Sequence, residues 1–270
     1  MMEIFDLKSI EANKQGQKSE AQIKEIKEAV NPGVWLYGGL GILVFGGCFT
    51  VMVSSMDAGG AIGIFGWILA IVGIFATLRG STTWNLRRKL LAEPVQSAEG
   101  TIAFKAQEGL NQLVDVDRYV AETIEGKKLN PIGLAGVGQQ LPPGDYRFYY
   151  LNTRNWLLGS EPLSSEEEMR NNLNDVFAKV FGYEKSQLED FRKQARDGKL
   201  KTAEGLPKID TYDHAAINED DIASQEIYLT LGDFKVQISN RACAAIFTNI
   251  PHRIYYGAGE NGAMVAMEAI

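Results

Sequence analysis

Residues 34–53, VWLYGGLGILVFGGCFTVMV, and residues 61–78, AIGIFGWILAIVGIFATL, decide the reading of this chain. Each is close to the roughly 20 helical residues needed to cross a hydrocarbon core of about 30 Å. Between Glu28 and Arg79 the sole charged side chain is Asp57, in the turn-rich hinge Ser54-Ser55-Met56-Asp57-Ala58-Gly59-Gly60. Two spans joined so tightly are expected to form an antiparallel transmembrane hairpin with both chain ends on one side.

Charge predicts which side. Lys18, Lys24 and Lys27 precede the first span, Arg79, Arg87, Arg88 and Lys89 follow the second, and the hinge carries no Lys or Arg. The positive-inside rule then puts both termini and the soluble part in the cytoplasm. Trp35, Tyr37 and Trp84 fall at the predicted cytoplasmic headgroup level, whereas Trp67 is mid-span and expected to be packed. Arg79, Arg87, Arg88, Lys89, Trp35 and Trp84 are thus candidate lipid and topology contacts. The Arg87-Arg88-Lys89 cluster reads as the stop signal that orients the hairpin, with a grip on anionic lipid as the alternative.

Some thirty polar residues precede the first span, which argues against a secretory leader. Cys48 lies in the first span and Cys243 near the far end, so no disulfide framework is expected, and no Asn-x-Ser/Thr acceptor occurs. The net charge of −7 argues against a nucleic-acid partner. Apart from hinge-level Asp57, residues 34–78 hold no Asp, Glu, His, Lys or Arg, which disfavours an ion or proton path.

Small residues recur at helical spacing: Gly46, Thr50 and Ser54 in the first span, Gly59, Gly63, Gly66 and Ala70 at and within the second. They are expected to pack the two helices of the hairpin together, with a homo-oligomer face as the alternative. Before the hairpin, Ile23, Ile26 and Val30 have helical spacing and Gly16 interrupts the pattern, predicting two short helices, or one frayed, near the membrane surface. Asn31-Pro32-Gly33 punctuates the approach to the first span. The second span is expected to continue as a helix through Leu86, Leu90 and Leu91 until Pro94.

The soluble half contains an internal likeness. Tyr146-Arg147-Phe148-Tyr149-Tyr150 recurs as His252-Arg253-Ile254-Tyr255-Tyr256, each after a Pro-containing turn and each leading to a strand with Glu at its end, Glu161 or Glu268. Upstream, Glu99-Gly100 matches Glu204-Gly205 and the strand beginning at Tyr119 matches that at Tyr228. Two copies of one small antiparallel β unit are the expectation. Pro143-Gly144 is predicted to make a type II bend. Arg147 with Tyr149, and Arg253 with Tyr255, share a strand face and form a candidate interaction face, with cross-strand stabilisation as the plainer role.

Between the copies, Met169, Leu173, Val176, Phe177, Val180 and Phe181 form an apolar helical stripe, Ser165 and Glu168 suit a capping box, and Gly182 is a natural stop. Ser186 and Glu189 suit a second capping box, with Leu188 and Phe191 facing inward. The resulting organisation is a juxtamembrane helical segment at 1–32, a transmembrane hairpin at 33–79, a helical extension and linker at 80–97, a first β unit at 98–162, a helical insert at 163–202 and a second β unit at 203–270.

Chemical motifs fail on context. Gly257-Ala258-Gly259-Glu260-Asn261-Gly262 matches a dinucleotide pattern, yet eight residues follow it, too few for the helix that would hold a pyrophosphate. The acidic residues Asp210, Asp213, Glu219, Asp220 and Asp221 with His214 lack the register of a calcium loop, and two Cys and two His are too few for a zinc site. No nucleophile elbow surrounds any Ser. The chain is therefore expected to be a membrane-anchored α+β protein with no cofactor, metal or catalytic residues. The expected role is a non-enzymatic interaction or scaffold protein with membrane lipids and an unidentified protein as partners. The alternatives are an accessory subunit of an oligomeric membrane transport or other complex, or an enzyme with its site between the β units.

Overall fold

The computed structural model of the protein describes residues 7–55, 61–107, 116–131, 141–214, 224–257 and 263–270. Asp57, Gly59, the acidic residues Glu219, Asp220 and Asp221, and all but the first residue of the loop at 257–262 lie outside them. The fold is α+β, with two long apolar helices and β sheets.

Helices come first. α1 (Leu7–Lys14) and α2 (Glu20–Ala29) are separated at Gly16, whose φ of 75° is left-handed and suits glycine. Ser19 starts α2 by a capping box with Gln22. α3 (Gly33–Ser55) follows Asn31, whose side-chain oxygen accepts from the Gly33 amide at 2.9 Å. α4 runs unbroken over Ala61–Ala92 until Pro94 ends it. At 23 and 32 residues, α3 and α4 are about 34 and 48 Å long. Both are long and apolar enough to cross a membrane, by length and composition.

Glycine decides how these two helices meet. A Cβ on Gly39 would lie 2.5 Å from the Thr77 amide nitrogen, on Gly46 2.7 Å from that of Ala70, on Gly73 2.5 Å from that of Leu43, and on Gly80 2.6 Å from that of Leu36. A Cβ on Gly66 would likewise collide with the Thr50 hydroxyl. On each helix these positions are seven residues apart, two turns, so one glycine stripe faces one backbone. Of the small residues marked by the sequence, Gly46, Thr50, Gly66 and Ala70 lie in this contact, Gly63 lies in the first turn of α4, and Gly39, Gly73 and Gly80 join them. Trp67 does not pack as expected but is 64% exposed, because it stands about 100° around the helix from the inward Gly66.

The strands are β1 (Gln96–Gln107), β2 (Val116–Thr123), β3 (Lys128–Pro131), β4 (Gly144–Leu151), β5 (Trp156–Pro162), β6 (Leu200–Gly205), β7 (Lys208–His214), β8 (Ser224–Leu231), β9 (Phe234–Ile238), β10 (His252–Gly257) and β11 (Met264–Ala269). Three helices intervene, α5 (Glu166–Phe181), α6 (Leu188–Arg196) and α7 (Asn240–Ala245). The first five strands close into a barrel in the order β1-β2-β3-β5-β4, with β3 and β5 parallel. The others form sheets of order β11-β10-β6 and β7-β8-β9.

Local signals are mostly honoured. Ser165 and Glu168 cap α5 reciprocally, and Gly182 ends it at a left-handed φ of 76°. Two expectations are corrected. Gly144 has no left-handed φ and begins β4 rather than completing a type II bend; its Cβ would press on Met169 Cγ at 3.1 Å, so close approach selects the glycine. Ser186 does not cap α6, because a 3₁₀ turn at Lys185–Gln187 comes first and Gln187 reaches back to the Glu184 amide at 2.9 Å.

Two compact units divide the chain, one of Met1–Ser97, Asn130–Val137 and Phe148–Ser160, the other of Ala98–Leu129, Gly138–Arg147 and Glu161–Ile270. In the first, Ile26, Val30, Leu90, Val95, Tyr149, Leu151 and Leu158 form a core. Lys18 closes the end of α4 by donating to the Leu91 carbonyl at 3.2 Å and to that of Glu93, and Gln22 donates to the Leu158 carbonyl at 3.0 Å. Burial pushes the Lys18 ammonium pKa down against the opposing pull of Glu93. In the second, α5 supplies Leu173, Val176 and Phe177 to a core with Leu229, Leu231, Phe247, Ile254 and Met267.

Gly73→Val is expected to destabilise the helix pair by about 1–3 kcal/mol through overpacking, lowering the Tm of the full chain. Gly41→Val, where nothing lies within 4 Å, should leave Tm unchanged; equal losses in both would overturn this account of the contact.

Candidate functional site

The densest polar chemistry among the described residues gathers on Glu268. β10 sits between β6 and β11 with Arg253 opposite Glu204 on one side and Glu268 on the other. Cross-strand partners stand close enough for direct pairing, and the Arg253 guanidinium donates Nε to Glu204 Oε1 at 2.6 Å and Nη1 to Glu268 Oε1 at 2.9 Å. Two residues along the same face, the Tyr255 hydroxyl donates to Glu268 Oε1 at 2.6 Å. From α6, Arg192 donates Nε to Glu268 Oε2 at 3.1 Å, adds a second bond through Nη2, and pairs with Glu189 through Nη1.

Glu268 is fully buried, with 0% exposure, so its charge needs these donors. Burial pushes its carboxyl pKa up, but the Arg192 and Tyr255 hydrogen bonds and the two guanidinium charges outweigh it and hold the group below the usual carboxylate range. Burial foremost, then the bond to Glu268, raises the Tyr255 phenol. Both Glu268 oxygens are spent on fixed donors, and using the carboxylate as a base would require breaking that set. Its chemistry is a clamp that fastens α6 to the sheet.

The sequence-marked interaction face is distributed differently. Tyr149 and Tyr255 are 2% and 1% exposed, core residues rather than a solvent-facing pair. Arg147 is half-exposed and pairs with Glu99 at 3.0 Å. From Phe148 onward both faces of β4 are covered, so residues that share a face with Arg147 do not share its exposure. Period-two reasoning missed Arg192 altogether; its only local signal is Glu189 three residues before it on a helix whose Phe191 turns inward.

His252, the first residue of β10, is fully buried beside Phe247, its Nε2 donating to the Phe247 carbonyl at 2.9 Å and its Nδ1 without a partner among the described residues. Burial lowers its pKa to about 4, so the ring is neutral at pH 7. Burial also raises the Cys243 thiol, in α7, away from a reactive thiolate. Among the described residues no group of three or more His, Cys, Asp or Glu side chains is placed to hold a metal ion. The lipid candidates lie on the helix pair: the Arg79 guanidinium lies over the Trp35 ring, 4.4 Å from its centroid, Trp84, Arg88 and Lys89 are exposed, and Arg87 is half-buried.

Removing one partner of a buried ion pair strands the others, so Glu268→Ala is expected to cost about 3 kcal/mol in urea unfolding, the low end for such losses because both arginines stay partly solvated. Glu99→Ala, at an exposed pair, should cost less than about 1 kcal/mol.

The pH dependence has two parts. His252 takes a proton near pH 6.5 when unfolded and only near about 4 when folded, so stability falls as pH drops through that interval. Glu268, held low in the fold, contributes fully above an ordinary Glu pKa of about 4.3, and that contribution is lost as pH falls further. Urea midpoints measured from pH 7 to 3 should decline in this order, and a His252 ring resonance, assigned by its loss in His252→Gln, that titrates near 6.5 in the folded chain would contradict the His252 part. No protein-family model, no curated protein and no solved structure matches this chain.

Proposed function

We propose that this chain is a multi-pass, membrane-anchored interaction protein: α3 and α4 cross the bilayer as a hairpin, both termini lie in the cytoplasm, and the β-rich part presents a surface to a protein partner. One observation carries the reading. On α3 and α4 Gly39, Gly46, Gly66, Gly73 and Gly80 lie against the facing helix while Phe45, Val51, Ile64, Phe65, Trp67, Phe75 and Leu78 are all more than half exposed. A helix pair in water buries its large apolar side chains and exposes its small ones. The opposite arrangement suits hydrocarbon, where close backbone packing holds helices together and bulky side chains meet lipid. The cations Arg79, Arg87, Arg88 and Lys89 after the second span support the cytoplasmic side.

The binding role leans on the likeness between the two β regions. β6 and β7 are separated by Leu206-Pro207, and proline breaks a strand by removing a ladder donor. Read as one bent strand, they give the order β11-β10-β6/β7-β8-β9, the barrel order opened between its third and fifth strands. The ion pairs Arg147–Glu99 and Arg253–Glu204 occupy matching places in the two copies. Five-stranded Greek-key barrels often serve as binding modules, although a fold alone does not fix a ligand. The polar groups of the β-rich part that gather most densely are spent on one another, which favours binding over an enzyme site.

Alkaline carbonate washing should leave the full chain in the membrane pellet and release a variant lacking 33–92, with the β-rich part digested by protease only from the cytoplasmic side. Extraction of the full chain would overturn the anchor, and protection from that side would overturn the topology. Photo-crosslinking from the β-rich surface in intact membranes is expected to give a discrete adduct with another protein. Self-adducts alone would move the assignment to a homo-oligomer, and no adduct would remove the binding role.

A further inference from the structure

We infer that the Arg79–Trp35 pair is the anchor's headgroup contact and takes the phosphate of an anionic phospholipid, whereas the Arg87-Arg88-Lys89 cluster lies beyond the headgroup layer. This rests on α3 and α4 being a membrane hairpin. Depth separates the two basic sites. The apolar run 61–78 ends immediately before Arg79, and its eighteen residues span about 27 Å, close to the hydrocarbon thickness of about 30 Å. Gly80 packs on Leu36, so the first turn of α3 and Arg79 share one level of the hairpin. Lys89 stands ten residues on, about 15 Å further along the axis. The polar layer on each side of a bilayer is only about 5–8 Å deep. That part of α4 is also engaged by protein, since Leu90 is buried and Leu86 and Leu91 pack in the core around Ile26 and Val30.

Neither α3 nor α4 contains an acidic side chain, and no ion pair involves Arg79 among the described residues. Its guanidinium lies 4.4 Å over the indole of Trp35, an exposed ring. A cation–π contact at this distance consumes none of the guanidinium's hydrogen-bond donors, and a phosphate oxygen pair fits their fork bidentately. The indole suits the membrane–water interface and preorganises the cation there. The complementary ligand is an anionic headgroup, since a net negative lipid adds Coulomb attraction to the hydrogen bonds that any phosphodiester offers.

The test uses the full chain in phosphatidylcholine vesicles carrying spin-labelled phosphatidylglycerol or spin-labelled phosphatidylcholine, with the motionally restricted fraction read by EPR. Wild type should prefer phosphatidylglycerol about fivefold. Arg79→Gln is expected to bring the ratio near unity, Trp35→Leu to lower it, and the double variant Arg88→Gln/Lys89→Gln to leave it unchanged. An unaltered ratio in Arg79→Gln and Trp35→Leu, or loss of preference in the double variant, would overturn the assignment. Equal restriction of both lipids by wild type would reduce Arg79 to a contact for any phosphodiester and overturn the anionic preference. Failure of the wild-type chain to float with vesicles would instead defeat the anchor itself, a separable result.

Discussion

Backbone contact between α3 and α4 is the constraint from which the N-terminal architecture follows. With glycine at 39, 46, 66, 73 and 80, each helix presents a groove into which the other's main chain fits, and any Cβ there would collide with backbone or side-chain atoms. Many weak dispersion contacts become available at such approach, none strong alone. Putting the small residues inside forces the large apolar ones outward, and that inversion gives the pair its suitability for hydrocarbon. It also aligns Arg79 with Trp35, because the Gly80–Leu36 contact sets the register at that end.

A different kind of constraint organises the C-terminal region. Glu268 is a buried anion, and a buried anion is tolerable only where its neighbours supply charge and hydrogen bonds. Arg253, Tyr255 and Arg192 do so from β10 and α6, while Asn174 in α5 accepts from the Ala269 amide at 2.8 Å. The polar set therefore specifies where two helices dock on the sheet, a role in positioning more than in net stability. His252 shows the converse solution, a buried titratable group kept neutral.

Much of this was legible residue by residue. Glycine at 16 and 182, the capping pair Ser165 and Glu168, and the apolar runs of the long helices act through neighbours a few positions away, so their signals survive in the linear sequence. The candidate Arg–Tyr face was not legible in the same way. Alternation along β4 and β10 says which side chains share a face, but not whether another element covers it; Tyr149 and Tyr255 proved to be core. The short helix α7 was also missed, its capping Ser239 being a weak signal beside an apolar stretch that equally suits a strand.

Two apolar helices, their approximate extents, their flanking charges and the ends of α5 were readable from the sequence, because hydrogen bonding within a helix and the run of hydrophobicity are local properties. Tertiary structure decided between identical neighbours. Gly38 and Gly39 adjoin in the chain, yet Gly39 lies against Thr77 and Gly38 has nothing within 4 Å. A rotation of about 100° per residue separates them. Likewise only the pairing of β10 with β6 and β11, and the packing of α6, could turn Glu268 from a carboxylate at a strand end into a buried clamp.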